Sequence, residues 1–265
     1  MLTHAERLGR HCLLFHERVR PREIKGPAAL DSFESFEWSQ DCPTGFHLLL
    51  GQQSHFTHGF TDTERRRSGR MTRAQKRRRV LLEAKYGRPD PRSMEKEVAE
   101  LLEIVAPRPQ SLVLHTDEHP AYPRALRRVP HLSVVHRTIS SRAARNPQNP
   151  LFSLNLIDLL IRHSGSNHKR ETIAFSKRRQ SAIERLWVFT VWRNYVKAFS
   201  ERKQGETPAM KEGVLERKLT VEEVLEKRLF PSRIPLPRRW QKYYRREIET
   251  RRIANNRRHR KVYAF

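Results

Sequence analysis

LVLHTDEHPAYPRAL, residues 112–126, decides how the rest of the chain is read. Its first five residues, Leu112 to Thr116, form an apolar run of the length taken by buried central strands. Asp117 follows at once. A carboxylate at the carboxyl end of a buried strand is costly unless it faces a crevice, which is where open α/β sheets bind ligands. Residues 120–128 then read as a helix, and Leu132 to His136 as a second short strand.

Upstream lie strands of a different kind. AALDSFESFEW, residues 28–38, is aromatic-rich at Leu30, Phe33, Phe36 and Trp38 and reads as a strand with Asp31 inside it. In GFHLLLGQQSHFTHGFTD, residues 45–62, Phe46 to Leu50 and His55 to Phe60 read as strands joined by Gly51-Gln52-Gln53-Ser54. Three antiparallel strands in a row result. Residues 64–79 carry nine Lys or Arg and one acid, and flow into a helix stopped by Gly87 and Pro89. SMEKEVAELLEIV, residues 93–105, is an amphipathic helix with Ser93 as its cap and Val98, Leu101, Leu102 and Val105 on one face.

The order is strand, strand, strand, helix, strand, helix, strand, helix. That is the order of an RNase H-like α/β core, a mixed sheet of three antiparallel strands and then parallel ones, flanked by helices. In that fold the first and fourth strands are neighbours, so Asp31 and Asp117 converge. Two close carboxylates repel, and a divalent cation relieves the repulsion; oxygen ligands select Mg²⁺ or Mn²⁺. Such ions activate a water or a 3′-hydroxyl and stabilise the leaving oxygen of a phosphodiester. The competing reading makes Asp31 a polar strand residue and Asp117 the opener of a turn before Pro120.

A third member is expected on residues 151–163, LFSLNLIDLLIRH, a helix between Pro150 and Gly165. Asn155, Asp158 and Arg162 fall on one stripe of this otherwise apolar helix. A metal site or a DNA phosphate would partner that stripe; an internal Asp158–Arg162 pair would also satisfy it.

Charge narrows the partner. Lys and Arg number 54 against 29 acids, a net charge of +25, which attracts polyanions, nucleic acid first. No apolar stretch is long enough to span a bilayer, and no apolar signal segment opens the chain, so no membrane partner is expected. Cys12 and Cys42 are far apart without CxxC spacing, and His4, His11 and His16 lack metal-ligand spacing; a reducing compartment fits. Residues 181–199, with Trp187, Phe189, Trp192 and Tyr195, read as a core helix. Residues 200–236 read as a mobile connection with one helix, Thr220 to Arg228. The tail 238–261 holds eleven Lys or Arg, with Trp240, Tyr243 and Tyr244 interleaved, and reads either as a helix lying on phosphates or as a disordered basic tail.

Two stretches carry a family resemblance. LVLHTDEHPAYPRAL together with IRHSGSNHKRETIAFSKR, residues 161–178, resembles insertion-sequence transposases of the DDE superfamily. DSFESFEW and SHFTHGFTD are similar to the first strands of the same catalytic domain. The likeness covers roughly residues 28–200, and Thr116-Asp117 with Tyr122 plus Arg170 to Lys177 is its most specific part. It divides the chain into an N-terminal extension (1–27), a catalytic domain (28–200) and a basic C-terminal extension (201–265). It implies DNA nicking and strand transfer with Mg²⁺ or Mn²⁺, transposon ends and target DNA as partners, a homo-oligomer on DNA, and a cytoplasmic, nucleoid-associated place.

Carried over, Asp31 matches the first catalytic Asp and Asp117 the second. Counting back from Phe175-Ser176-Lys177, the family's Glu falls on Asn155, with Arg162 as the usual basic residue seven positions on. Asn155 is therefore the implied third metal ligand; Asp158 and Glu184 are its rivals. Arg65, Arg66, Arg67, Lys76, Arg77, Arg162, Lys169, Arg170 and Lys177 are the expected DNA contacts. Thirty residues precede Asp31. They are too few for the end-recognising helix-turn-helix such transposases carry, so the chain reads as a truncated frame. The alternative is a degenerate remnant, or an RNA-associated factor, that only binds nucleic acid.

Overall fold

Five strands form one mixed sheet in the order β3-β2-β1-β4-β5. The computed structural model describes residues 2–37, 39–168, 178–200 and 205–249. β1 (Ala28–Glu37), β2 (Ser39–Gly51) and β3 (Thr57–Glu64) are an antiparallel meander, with Phe33 opposite Phe46 and Phe46 opposite Asp62. β4 (Gln110–Thr116) and β5 (Leu132–Thr138) join in parallel, β4 beside β1. The chain thus has the α/β class, the mixed sheet and the neighbouring first and fourth strands expected of it. β2 is longer than the apolar run Phe46–Leu50 suggests. It starts before Pro43, and the register slips between Phe36 and Glu37, a bulge that accommodates the missing proline N–H.

The helices follow from local chemistry. α2 (Arg73–Tyr86) starts at a capping box between Thr72 and Gln75 and ends at Gly87, whose φ of 84° suits glycine. None of its residues is buried. α3 (Ser93–Val105) buries Val98, Leu101, Leu102 and Val105 as its periodicity requires. Ser93 is not its cap. Position 92 is the cap, and the Ser93 hydroxyl donates instead to the Glu64 carbonyl at 3.2 Å, tying α3 to the end of β3. α4 (Ala121–Leu126) crosses between β4 and β5. α5 (Phe152–Ser164) ends at Gly165 and buries Ser153, Leu154, Ile157 and Ile161. It is one-sided rather than buried all round, since Leu159 is exposed.

The expected helix over 181–199 is broken. α6 (Arg179–Val191) gives way to one wide π-turn over Trp192–Val196. That turn aims Asn194 at the start of β3, where its amide accepts from the Thr57 N–H (3.0 Å) and donates to the Thr57 carbonyl (2.9 Å). Trp187 and Tyr195 are core, Phe189 is partly covered, and Trp192 is exposed.

Segments outside 28–200 also enter the core. α1 (Leu2–Val19) packs on α6 and contributes Cys12, Leu13 and Phe15. Gly9 makes that contact possible, because a Cβ there would sit 2.6 Å from the Glu184 carbonyl oxygen. Residues 205–236 are anchored rather than a bare connection. α7 (Pro208–Lys211) and α8 (Val221–Leu225), capped by Thr207 and Thr220, bury Ala209 and Val224. α9 (Arg238–Arg245) buries Trp240 and Tyr243. The Trp240 indole donates to the Phe60 carbonyl (3.1 Å) over Gly59, where a Cβ would meet the ring at 2.6 Å. These tail aromatics are core anchors. Trp38, the motif residues Arg170–Lys177 and the tail beyond residue 249 lie outside the described residues. Among the described residues no helix is long and apolar enough to cross a membrane.

Candidate active site

β1 and β4 pair only at Ala28↔Leu114 and Ala29↔His115. Beyond those pairs the two strands part while β4 stays paired with β5 to its last residue. Continuing the β1–β4 register by two residues sets Asp31 against Asp117, on one face of the sheet because side chains alternate. The two acids therefore flank a fork at the carboxyl end of β4, the place where such sheets take ligands.

A cavity of about 600 Å³ opens at this fork. Asp31, Asp117 and Asp158 line it together with Tyr122, His119, Arg65, Arg66 and Arg162. The Tyr122 hydroxyl donates to one Asp31 oxygen (3.3 Å), which also accepts the Ser32 N–H (2.6 Å). The His119 N–H donates to Asp117 (2.9 Å), holding that carboxylate in a tight turn. Among the described residues neither Asp31 nor Asp117 has an ion pair.

Burial, more than anything else, pushes the Asp31 carboxyl up to about 6, against the lowering Ser32 N–H. The charges of Asp117 and, more weakly, Asp158 push it the same way. Tyr122 is raised well above the usual phenol range by its burial and by Asp31 and Asp117. Asp31, whose charge Asp117 disfavours, and Asp117 beside it on the cavity wall are a donor set that fits a divalent cation. Among the described residues no three of His, Cys, Asp or Glu stand close enough to hold an ion alone.

Of the three third-ligand candidates, Asp158 lines the cavity. Its carboxylate is bonded to Arg162 at 2.9 Å, the internal pair that its spacing allows. Asn155 is not on the cavity wall; its amide donates back to the Leu151 carbonyl (3.1 Å) within α5. Glu184 lies elsewhere, buried between α1 and α6 and paired with Arg246 (2.9 Å).

The expected cations divide as well. Arg65 pairs with Glu34 (2.6 Å), Arg66 with Glu83 (2.7 Å) and Arg67 with Asp41. Arg65, Arg66 and Arg162 border the cavity. Arg162 lies over the Phe33 ring, 5.8 Å from its centroid. Lys76 and Arg77 are exposed on α2, while Lys169, Arg170 and Lys177 lie outside the described residues. Several cavity residues escaped the sequence reading as site members, Tyr122 and His119 among them. Tyr122 was legible only as a motif position, and His119 only as a neighbour of Asp117.

No protein-family model and no curated protein matches the chain. Among solved structures it is similar to a chain of a cryo-EM structure, a simian T-cell lymphotropic virus intasome in complex with the PP2A regulatory subunit B56 gamma. Sequence identity is 16% and the TM-score 0.35, with 73% of this chain and 56% of that chain covered. The chain thus spans little more than half the length of that chain.

Proposed function

We propose that the fork between β1 and β4 is a divalent-metal phosphodiester site on an RNase H-like core, belonging to a transposase-type enzyme that nicks and joins DNA. The observation behind this is the convergence of Asp31, Asp117 and Asp158 on one cavity whose rim carries Arg65, Arg66 and Arg162. Asp31 and Asp117 would hold Mg²⁺ or Mn²⁺. Mg²⁺ is often held by one or two carboxylates plus substrate phosphates, which suits the pair Asp31 and Asp117. When bound, the ion supplies charge to activate a water or 3′-hydroxyl and to stabilise the leaving oxygen. The chain's own groups do the rest. Tyr122 fixes Asp31, the His119 amide fixes Asp117, and the rim arginines take phosphate oxygens. Residues 28–200 are the catalytic unit in this reading, with α1 and α9 packed together against its α6.

Nicking of supercoiled DNA with Mg²⁺ tests this. Asp31→Asn and Asp117→Asn are each expected to slow nicking at least about a hundredfold, about 2.7 kcal/mol of barrier. Either variant nicking at the parent rate overturns the assignment. Parallel assays of Asn155→Ala, Asp158→Ala and Glu184→Ala, with folding checked by circular dichroism, identify the third group.

A second reading has its own observation. The Asp158–Arg162 pair and the Asn155–Leu151 bond engage both third-ligand candidates on α5. That is what a degenerate transposase remnant, retaining only nucleic-acid binding, would show. A protein that never nicks but binds duplex DNA, with log Kd changing by about 0.9 per phosphate contacted for each decade of salt, establishes the remnant.

A further inference from the structure

A second cavity, of about 540 Å³, sits where α1 meets the segment after α8 and the end of α9. It is lined by Arg7, Arg10, His11, Leu14, Arg228, Leu229 and Tyr244. It shares no residue with the Asp31 cavity. Arg7, Arg10, His11 and Leu14 are spaced i, i+3, i+4 and i+7, one face of α1. Leu14 is buried and floors the site, while the arginines stand above it.

Three arginines thus line one concavity, with no acid in its wall among the described residues; Arg228 leans over the Phe230 ring at its edge, 5.2 Å from the centroid. The nearest acid in sequence, Glu6, is bonded to Arg246 at 3.0 Å. Arg10 is steadied over the Tyr244 ring, 5.8 Å from its centroid, and the His11 Nε2 is fixed by the Val224 carbonyl at 2.8 Å. Like charges gathered with no counter-ion among the described residues repel, so the arrangement favours an anion between them. Guanidinium forks match the oxygens of phosphate in a bidentate manner. The volume lies within the roughly 300–1,000 Å³ of ligand-binding clefts.

We propose that this cavity binds phosphate groups, either of a nucleic-acid backbone or of a free nucleotide. The inference is independent of the metal chemistry at Asp31, and loss of nicking in Asp117→Asn leaves it standing.

The test compares Arg7→Gln/Arg10→Gln with a charge-matched control, Arg108→Gln/Lys218→Gln, whose exposed side chains lie outside both cavities. Fluorescence anisotropy with a labelled duplex across a salt series reads the first arm. If the backbone is the ligand, the cavity variant weakens binding about tenfold beyond the control and lowers the salt slope by roughly 0.9 per phosphate lost. Phosphorus NMR of ATP reads the second arm. If a free nucleotide is the ligand, the parent and the control broaden its resonances and the cavity variant does not. Arg7→Lys/Arg10→Lys, which keeps charge but loses the forks, is expected to recover less than half of either effect. A cavity variant indistinguishable from the control in both arms overturns the proposal.

Discussion

Two aspartates on the same face of the sheet, one on β1 and one on β3, have opposite surroundings. Asp62 is fully buried and enclosed. Arg179 reaches it at 3.1 Å, Arg239 at 3.7 Å, and the Tyr243 hydroxyl donates to it at 2.6 Å. Those arginines are themselves shared with Glu64, Glu97 and Glu100. Asp31 is half-buried, opens onto a cavity, accepts from the Ser32 N–H and the Tyr122 hydroxyl, and has Asp117 and Asp158 as its nearby charges. The first aspartate closes a network joining β3, α3, α6 and α9. The second is held in place yet left electrostatically unsatisfied. A carboxylate kept costly by burial and by neighbouring acids is what a ligand-binding site needs, and one enclosed by ion pairs is what a structural joint needs.

The largest expected effect falls on the joint. Asp62→Asn leaves Arg179 to Glu64 and Arg239 to Glu97 and Glu100, and weakening such a buried network costs up to about 3–5 kcal/mol. Urea denaturation measures it. Asp31→Asn, by contrast, should leave stability equal or higher. Similar losses in both variants would erase the distinction between the two aspartates.

The next effect concerns pH. The folded protein binds the Asp31 proton more tightly than the unfolded chain does, because the carboxyl is raised to about 6 from its ordinary 3.8. The stability this group contributes is fully present below about pH 4 and is lost as pH rises through about 6. With solvent screening the loss is on the order of 2 kcal/mol. Thermal melts without divalent ions should show a falling component over that window that is missing in Asp31→Asn. Saturating Mg²⁺ should restore stability above pH 6 by about 2.7 kcal/mol at a hundred times Kd. A parent melt insensitive to Mg²⁺ breaks the link between the unsatisfied acid and a cation.

The smallest effect sharpens the α5 side. The Asp158–Arg162 pair is partly exposed, so Asp158→Ala is expected to change stability by less than about 0.5 kcal/mol. A loss above 2 kcal/mol in urea would make Asp158 a joint like Asp62 rather than a member of the cavity.

Much of the cavity was legible because its signals are local. An acid directly after a short apolar strand, and an acid inside an aromatic strand, needed only the neighbour relation of β1 and β4 to converge. Other placements were hidden by distance along the chain. Nothing near Asp62 in sequence announces Arg179, Arg239 or Tyr243, more than a hundred residues away. The tail aromatics Trp240 and Tyr243 lie among cations and read as part of a helix on phosphates or of a disordered basic tail. They are core because Gly59 leaves a seat for the indole. Arg7 and Arg10 were invisible as a pair with Arg228 for the same reason.

The sequence by itself determined the strands and most helices, since alternation, helical spacing, capping threonines and glycines act over a few residues. It also determined the positive field, a sum over charges that needs no coordinates. Only the tertiary structure decided which acids are satisfied and which are exposed to one another. Asp31, Asp62, Asp117 and Asp158 are the same residue type, and a carboxylate's role is set by the charges and dielectric around it, which chain-distant segments supply.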